Sequence, residues 1–256
     1  MGLMLRFEGE GRSDTGRVRD HNEDSLLCRP KDGLWVVADG MGGHERGEWA
    51  SAVVTEAIAA VQFGADDDFD KRLALVSGAI HAANRRIYTE GTARQARFGT
   101  TVVALLLHAG RFGVVWAGDS RAYVLRHGVL HQLTIDHTEV QRLLDLGLLQ
   151  PGEADSHPMG HLLARAIGVM ETVSLDAITD DVLTGDRYLL CSDGLTGVIK
   201  PAELQTLLGA GSVTSVADRL IERTLAGGAP DNVTIALVDA REATRLTIGE
   251  PAGSLR

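Results

Sequence analysis

Five aspartates stand where short apolar runs begin or end. Leu34-Trp35-Val36-Val37-Ala38-Asp39, Val114-Val115-Trp116-Ala117-Gly118-Asp119 and Tyr188-Leu189-Leu190-Cys191-Ser192-Asp193 each finish on one. Asp24-Ser25-Leu26-Leu27-Cys28 and Asp231-Asn232-Val233-Thr234-Ile235-Ala236-Leu237-Val238 each start on one. Short runs rich in Val, Leu and aromatics read as buried strands. If strands that end in Asp lie antiparallel to strands that begin with it, all five carboxylates collect at one rim. Crowded carboxylates resist ionising together unless a cation joins them. The pattern therefore points to hard, oxygen-preferring metal ions.

Two of these aspartates head similar turns, Asp39-Gly40-Met41-Gly42-Gly43 and Asp193-Gly194-Leu195-Thr196-Gly197. Glycine after the aspartate lets the backbone turn sharply and bring its own carbonyl near a ligand. An ion on Asp39 can then also take the Gly40 carbonyl oxygen. A single Asp-Gly is a common turn dipeptide, but two at strand ends with three further strand-edge aspartates are harder to assign to chance. An all-oxygen set favours Mg²⁺, Mn²⁺ or Ca²⁺ over zinc. Carboxylate-bridged ion pairs roughly 3.5–4 Å apart cleave phosphoesters by activating a water held between them. Arg19, in the polar segment Gly16-Arg17-Val18-Arg19-Asp20-His21-Asn22-Glu23, suits two-point gripping of a phosphate. Its plainer reading is a solvated surface arginine.

The elements that must position these residues follow from periodicity. Leu3 to Ser13 alternates as an edge strand, and a polar segment from Asp14 to Glu23 leads to the strand at Asp24. Past the glycine-rich turn, Trp49, Val53, Ala57, Ile58 and Val61 mark one helix face, and Phe69, Leu73, Val76, Ile80, Ala83 and Ile87 a second. Asp66-Asp67-Asp68 opens the second helix, where its dipole favours negative charge. Runs at Thr100–Ala109, Phe112–Ala117 and Ala122–Leu125 are spaced as antiparallel hairpins, which argues against a Rossmann-type parallel sheet here. Asp136 with Glu139 forms a capping box for a helix that Gly147 stops. An irregular stretch runs on to Gly168. Strands at Thr172–Ile178 and Arg187–Cys191, helices from Pro201 and from Thr214 to Leu225 (stopping near Gly227-Gly228), and a strand over Asn232–Val238 complete the series. The pattern predicts an α+β fold: a four-layer α-β-β-α sandwich with two central, mostly antiparallel sheets.

Composition narrows the partners. Twenty-five basic against thirty-five acidic residues give a net charge of −10, the wrong sign for a nucleic-acid footprint. No apolar run reaches the ~18 residues of a membrane span, and no secretory signal pattern opens the chain. The expectation is a soluble, cytoplasmic, monomeric protein. Cys28 and Cys191 read as small core residues in a reducing compartment. Neither lies in a loop motif suited to nucleophilic catalysis. The reading is one catalytic domain over residues 1–240, with 241–256 as a flexible tail.

Taken in order, six motifs resemble the bacterial branch of the metal-dependent protein phosphatase family, type 2C. They are Ser13-Asp14-Thr15-Gly16…Arg19…Asn22-Glu23-Asp24, Val37-Ala38-Asp39-Gly40-Met41-Gly42-Gly43-His44, Phe98-Gly99-Thr100-Thr101, Ala117-Gly118-Asp119-Ser120-Arg121, Leu190-Cys191-Ser192-Asp193-Gly194-Leu195 and Asp231-Asn232-Val233-Thr234. The resemblance implies a phosphoserine/phosphothreonine protein phosphatase acting by direct attack of a metal-bridged hydroxide, opposite a cognate Ser/Thr kinase. It implies two catalytic Mn²⁺ or Mg²⁺ ions bridged by Asp39, with the Gly40 carbonyl in one site and Asp193 and Asp231 in the other. Asp24 would act through water, and Asp119 with Asp193 would hold a third ion. Arg19 would bind the substrate phosphate, residues 137–168 would form a flap beside the site, and Gly99, Thr100 and Thr101 would support it.

One position departs from animal relatives, which carry a histidine, the proposed general acid, two places after the aspartate of the Asp-Gly turn. Here Met41 stands there and cannot give a proton, as in many bacterial members. His44, in the same turn, has a suitable unperturbed pKa. A capping or packing role for it, or a metal-bound water as the acid, stays open. His137, His157 and His161 read as surface or packing residues of the flap. Two rival functions remain: a metal-dependent phosphoesterase for small molecules or nucleotides, and a non-catalytic phosphoprotein-binding regulator.

Overall fold

The computed structural model describes residues 5–42, 45–154, 157–160 and 162–243. Among these the chain runs β1 (Leu5–Asp14), β2 (Asp24–Arg29), β3 (Leu34–Met41), α1 (Glu45–Ala59), α2 (Phe69–Ala93), β4 (Gly99–Thr100), β5 (Val102–His108), β6 (Arg111–Ala117), β7 (Arg121–Arg126) and β8 (Val129–Gln132). It continues through α3 (Glu139–Asp145), α4 (Pro151–Ala154), β9 (Asp176–Asp181), β10 (Arg187–Cys191), α5 (Asp193–Thr196), α6 (Pro201–Leu208), α7 (Val213–Ala226) and β11 (Val233–Glu242). One sheet has the order β1-β11-β10-β7-β8, the other β2-β3-β5-β6-β9, with β4 added to β3. Every pairing between these strands is antiparallel. In β2–β3, β5–β6 and β7–β8 the short connections force this, since parallel neighbours need long crossovers.

Strand alternation then sorts the side chains into three apolar layers. On β3, Leu34 and Val36 pack against α1 and α2 with Val53, Ile58, Ile80 and Ile87. Trp35 and Val37 point the other way, into a layer shared with Val103, Leu105, Val114, Tyr188, Leu190, Ala236 and Val238 between the sheets. Leu189, Cys191, Ile235 and Leu237 pack against α6 and α7 through Leu204, Leu208, Val216 and Leu220. Helix, sheet, sheet, helix is the four-layer arrangement expected from the sequence. Among the described residues no helix is long and apolar enough to cross a membrane.

Local chemistry explains the boundaries, including those the sequence misplaced. The Asp68 carboxylate caps α2 by accepting the Lys71 N–H at 2.8 Å. The cap of α3 is Thr138, not Asp136, because three N–H bonds from Arg121 occupy the Asp136 carboxylate. Gly147, at φ +68°, does terminate that helix. The strand expected over Thr172–Ile178 starts only at Asp176, since Val173 and Leu175 pack into the helix-side core instead of pairing. Helix α1 ends at Ala59, leaving Val61 outside it. Cys191 is a core residue, but Cys28 lies exposed on edge strand β2. The strand β11 reaches Glu242, two residues beyond the expected domain edge, and the expected tail from residue 244 on falls outside the described residues.

Trp35, fully buried between the sheets, should be a main anchor of this layer. Trp35→Ala is expected to destabilise the protein by about 3–5 kcal/mol, read from urea unfolding. A loss below about 1 kcal/mol would show that the sheets do not depend on this contact.

Candidate active site

The layer between the sheets stops being apolar at the same level on strand after strand. Continuing each row by two residues takes Trp35-Val37 to Asp39, Leu105-Val103 to Thr101, Val124-Ala122 to Ser120, Tyr188-Leu190 to Ser192, and Val238-Ala236 to Thr234. In β2–β3, Asp24 and Asp39 are direct cross-strand partners, so their side chains share one face. Asp193 opens α5 straight after β10, Asp231 lies just before β11, and Asp119 occupies the turn between β6 and β7. Antiparallel pairing thus brings all five strand-edge aspartates to one end of the sandwich.

Their carboxyls feel one another. Burial, then Asp24, Asp193, Asp119 and Asp231, pushes the Asp39 carboxyl well above the ordinary carboxylate range. Burial pushes Asp24 up to about 7 against hydrogen bonds from Thr234 and Ser192, and the charges of Asp193 and Asp231 add to the rise. Asp119 also rises to about 7, chiefly through burial and then through Asp193. The Ser192 hydroxyl donates to Asp24 Oδ2 at 2.8 Å. Asp24 Oδ1 is buried and has no hydrogen-bond partner. An orphaned carboxylate oxygen among raised carboxyls is a donor set that suits a divalent cation, directly or through water. Among the described residues no three acidic, histidine or cysteine side chains already stand in a closed ligand shell. One reason is visible in Asp231, whose Oδ2 accepts from Arg19 Nη2 at 2.7 Å.

Neutral groups hold the backbone beneath the carboxylates. The Asp39 N–H donates to Thr101 Oγ1 at 3.0 Å, and its carbonyl accepts from Thr101 N–H at 2.8 Å and Thr100 Oγ1 at 2.9 Å. Thr101 and Ser120 hydroxyls bond each other at 2.6 Å. A Cβ on Gly40 would overlap the Gly47 carbonyl, and one on Gly194 would overlap the Asn232 carbonyl. Both glycines are needed because another backbone passes where a side chain would start. Met41 pairs with Gly99 on β4. His44 and His161 lie outside the described residues.

The flap segment crosses from β8 toward β9 with α3 and α4 inside it. Its two ends are joined by the Glu139 N–H to Leu162 carbonyl bond and the Ala164 N–H to His137 carbonyl bond, both 2.8 Å. His137 is buried and stacks on Trp116. Its Nδ1 accepts the Gly118 N–H at 3.0 Å, so Nε2 carries the proton and donates to Asp176 at 3.1 Å. It is a packing residue. His157 accepts the Met159 N–H within its own turn. Two His-x-x-x-His spacings occur in the sequence, His127/His131 and His157/His161. The first pair shares no helix face, since His127 is a turn residue at φ +52° and His131 lies on β8, and His157 sits in a loop.

Ser192, Thr234 and Ser120 were given no individual role from sequence. Their signal is the alternation itself, continued two residues past each apolar run.

The sequence and the fold both have counterparts among known proteins. The family described as Protein phosphatase 2C matches residues 14–228. The serine/threonine protein phosphatase PstP of Mycobacterium tuberculosis is 42% identical over 93% of this chain, which spans 45% of that protein's length. The serine/threonine phosphatase stp of Listeria innocua is 34% identical, covering 91% of this chain and 96% of its own. Among solved structures, PppA of Pseudomonas aeruginosa superposes with a TM-score of 0.86 at 35% identity, covering 93% and 99% of the two chains. The PstP catalytic domain in complex with two manganese ions gives 0.83 at 39% identity, covering 93% and 100%.

The raised carboxyls carry a pH signature. A folded pKa above the unfolded value near ~4 gives stability that is fully present below about pH 4 and lost as pH rises through about 7. Cation binding needs the deprotonated forms. The rise in Tm caused by Mn²⁺, relative to the EDTA-treated protein, should therefore grow from pH 5 to pH 7.5. Comparing the two at each pH cancels titrations elsewhere. A pH-independent rise in scanning calorimetry would contradict the arrangement.

Proposed function

This chain belongs to the protein phosphatase 2C family, and we propose that it is a metal-dependent phosphatase domain for phosphoserine and phosphothreonine in proteins. The observation that carries the reading is the rim of five aspartates closing the layer between the sheets, with Asp39 at its centre and Asp24 Oδ1 unpartnered.

In this reading Asp39 would bridge two divalent ions, the Gly40 carbonyl would complete one site, and Asp193 with Asp231 would complete the other. Asp24 would act through water, and Asp119 with Asp193 would hold a third ion. The manganese in the related PstP domain supports Mn²⁺, with Mg²⁺ as its alternative. When bound, the ions lower the pKa of water and neutralise charge on the phosphoryl group. The chain's own contribution is positional. Arg19, half-exposed and hydrogen-bonded to Asp231 through Nη2, would present its guanidinium to the substrate phosphate as Asp231 turns to the ions. Met41 cannot donate a proton, so leaving-group protonation would fall to His44 or to a water on the ions. A Ser/Thr kinase that makes the substrates, a monomeric state and a cytoplasmic location belong to the same reading.

Purified protein assayed on a phosphothreonine peptide should release phosphate with Mn²⁺ and not with EDTA. Release from nucleotides but never from phosphopeptides would redirect the substrate assignment. Asp39→Asn and Asp231→Asn are each expected to cut kcat/KM by at least about 10²-fold, since each removes charge from the ion cluster. Arg19→Ala should mainly raise KM. A large fall in kcat at unchanged KM would remove Arg19 from phosphate binding.

A further inference from the structure

Arg19 rides on an arch, residues 15–23, that has no helix or strand of its own. One side chain ties it at three points. Asn232, buried at 6% exposure just before β11, accepts the Glu23 N–H on Oδ1 at 2.8 Å. Its Nδ2 donates to the carbonyls of Thr15 and His21, both at 2.8 Å. The two ends of the arch thus close on a single amide. Only an amide in this orientation satisfies one N–H and two carbonyls together. Other contacts share the load: the Arg17 N–H donates to the Ala229 carbonyl at 2.9 Å, the Gly16 N–H donates to Asp14 Oδ1 at 2.8 Å, and the Glu23 carbonyl accepts from the Gly40 N–H at 3.1 Å and Ser51 Oγ at 2.6 Å, while Gly16 lies against the Asp231 carbonyl.

We propose that Asn232 is a positioning residue for substrate phosphate, acting by fixing the arch that carries Arg19. The proposal rests on the reading of Arg19 as the phosphate ligand. Without the amide, the arch loses its ties at the Thr15 and His21 carbonyls and the Glu23 N–H while keeping those at Gly16, Arg17 and the Glu23 carbonyl, and the guanidinium at the crest is held less firmly against the aspartate rim. Aspartate is no substitute despite its shape, because a carboxylate would face two carbonyl oxygens without a proton to offer. The backbone N–H of residue 232 donates to Asp231 Oδ1 at 2.9 Å. A side-chain substitution retains that N–H, so the arch can be tested separately from Asp231.

The test is a double-mutant cycle on a phosphothreonine peptide with Mn²⁺, using wild type, Asn232→Ala, Arg19→Ala and the pair. Asn232→Ala should raise KM by roughly 3–10-fold alone, and by less than about twofold when Arg19 is already gone, because the two changes act through one contact. Hydrogen exchange should quicken in residues 15–23 and stay unchanged in β10, while Mn²⁺ affinity from calorimetry stays within about twofold of wild type. Equal KM effects in both backgrounds would overturn the proposal, as would a matching loss of Mn²⁺ affinity, which would mean that Asn232 acts through Asp231. An active wild type whose KM is indifferent to Arg19→Ala would instead sink the phosphate role of Arg19, and this proposal with it. If Asn232→Ala cannot be purified, Asn232→Ser, with shorter reach and a single hydroxyl, enters the same cycle.

Discussion

Carboxylates at the end of an apolar layer are the constraint from which the rest of the site follows. Two sheets packed face to face expel water from the space between them, and Trp35, Val37, Leu190 and Ala236 keep it dry. One level further on, Asp39 and Asp24 enter that low-dielectric space side by side. Desolvation and mutual repulsion act in the same direction on both, which is why burial leads the causes of their raised pKa values. A cation relieves both penalties together, and no neutral side chain can.

The treatment of acids elsewhere in the molecule sharpens the point. Asp239 is paired with Arg187, Asp186 with Arg126, Asp136 with Arg121 and Asp176 with Arg165. Each of these carboxylates has an arginine to settle its charge, and each is structural. At the rim, Asp24, Asp39 and Asp119 form no ion pair among the described residues, and their surroundings are hydroxyls and backbone amides. Thr100, Thr101, Ser120, Ser192 and Thr234 order the backbone without supplying charge. A preorganised neutral frame leaves the negative charge available to a ligand. Arg19, from a loop, reaches in with its guanidinium and pairs with Asp231.

The flap is built on different terms. Its neck is tied by backbone bonds around His137 and by the Arg165–Asp176 pair, yet Leu146, Leu148 and Leu162 stand exposed along it. It is anchored at its base, beside Gly118 and the turn that bears Asp119.

Much of this was legible in one dimension. Apolar runs with aspartates at their ends, hairpin spacings and the stripe from Phe69 to Ile87 are local patterns, and strand or helix type follows from local periodicity. The Asp39 and Asp193 turns were legible because glycine marks close backbone approach. Other features were hidden because they are contests between distant groups. Asp136 looked like a helix cap until Arg121, fifteen residues earlier, claimed its carboxylate and left Thr138 to cap α3. Cys28 looked buried until β2 proved to be an edge strand. The amino-acid order alone determined which residues bear charge and which strands they terminate. Only tertiary packing decided which carboxylates meet without a counter-ion and which small polar side chains pin their backbones, because those outcomes depend on which strands become neighbours, and pairing across hundreds of residues leaves no local trace.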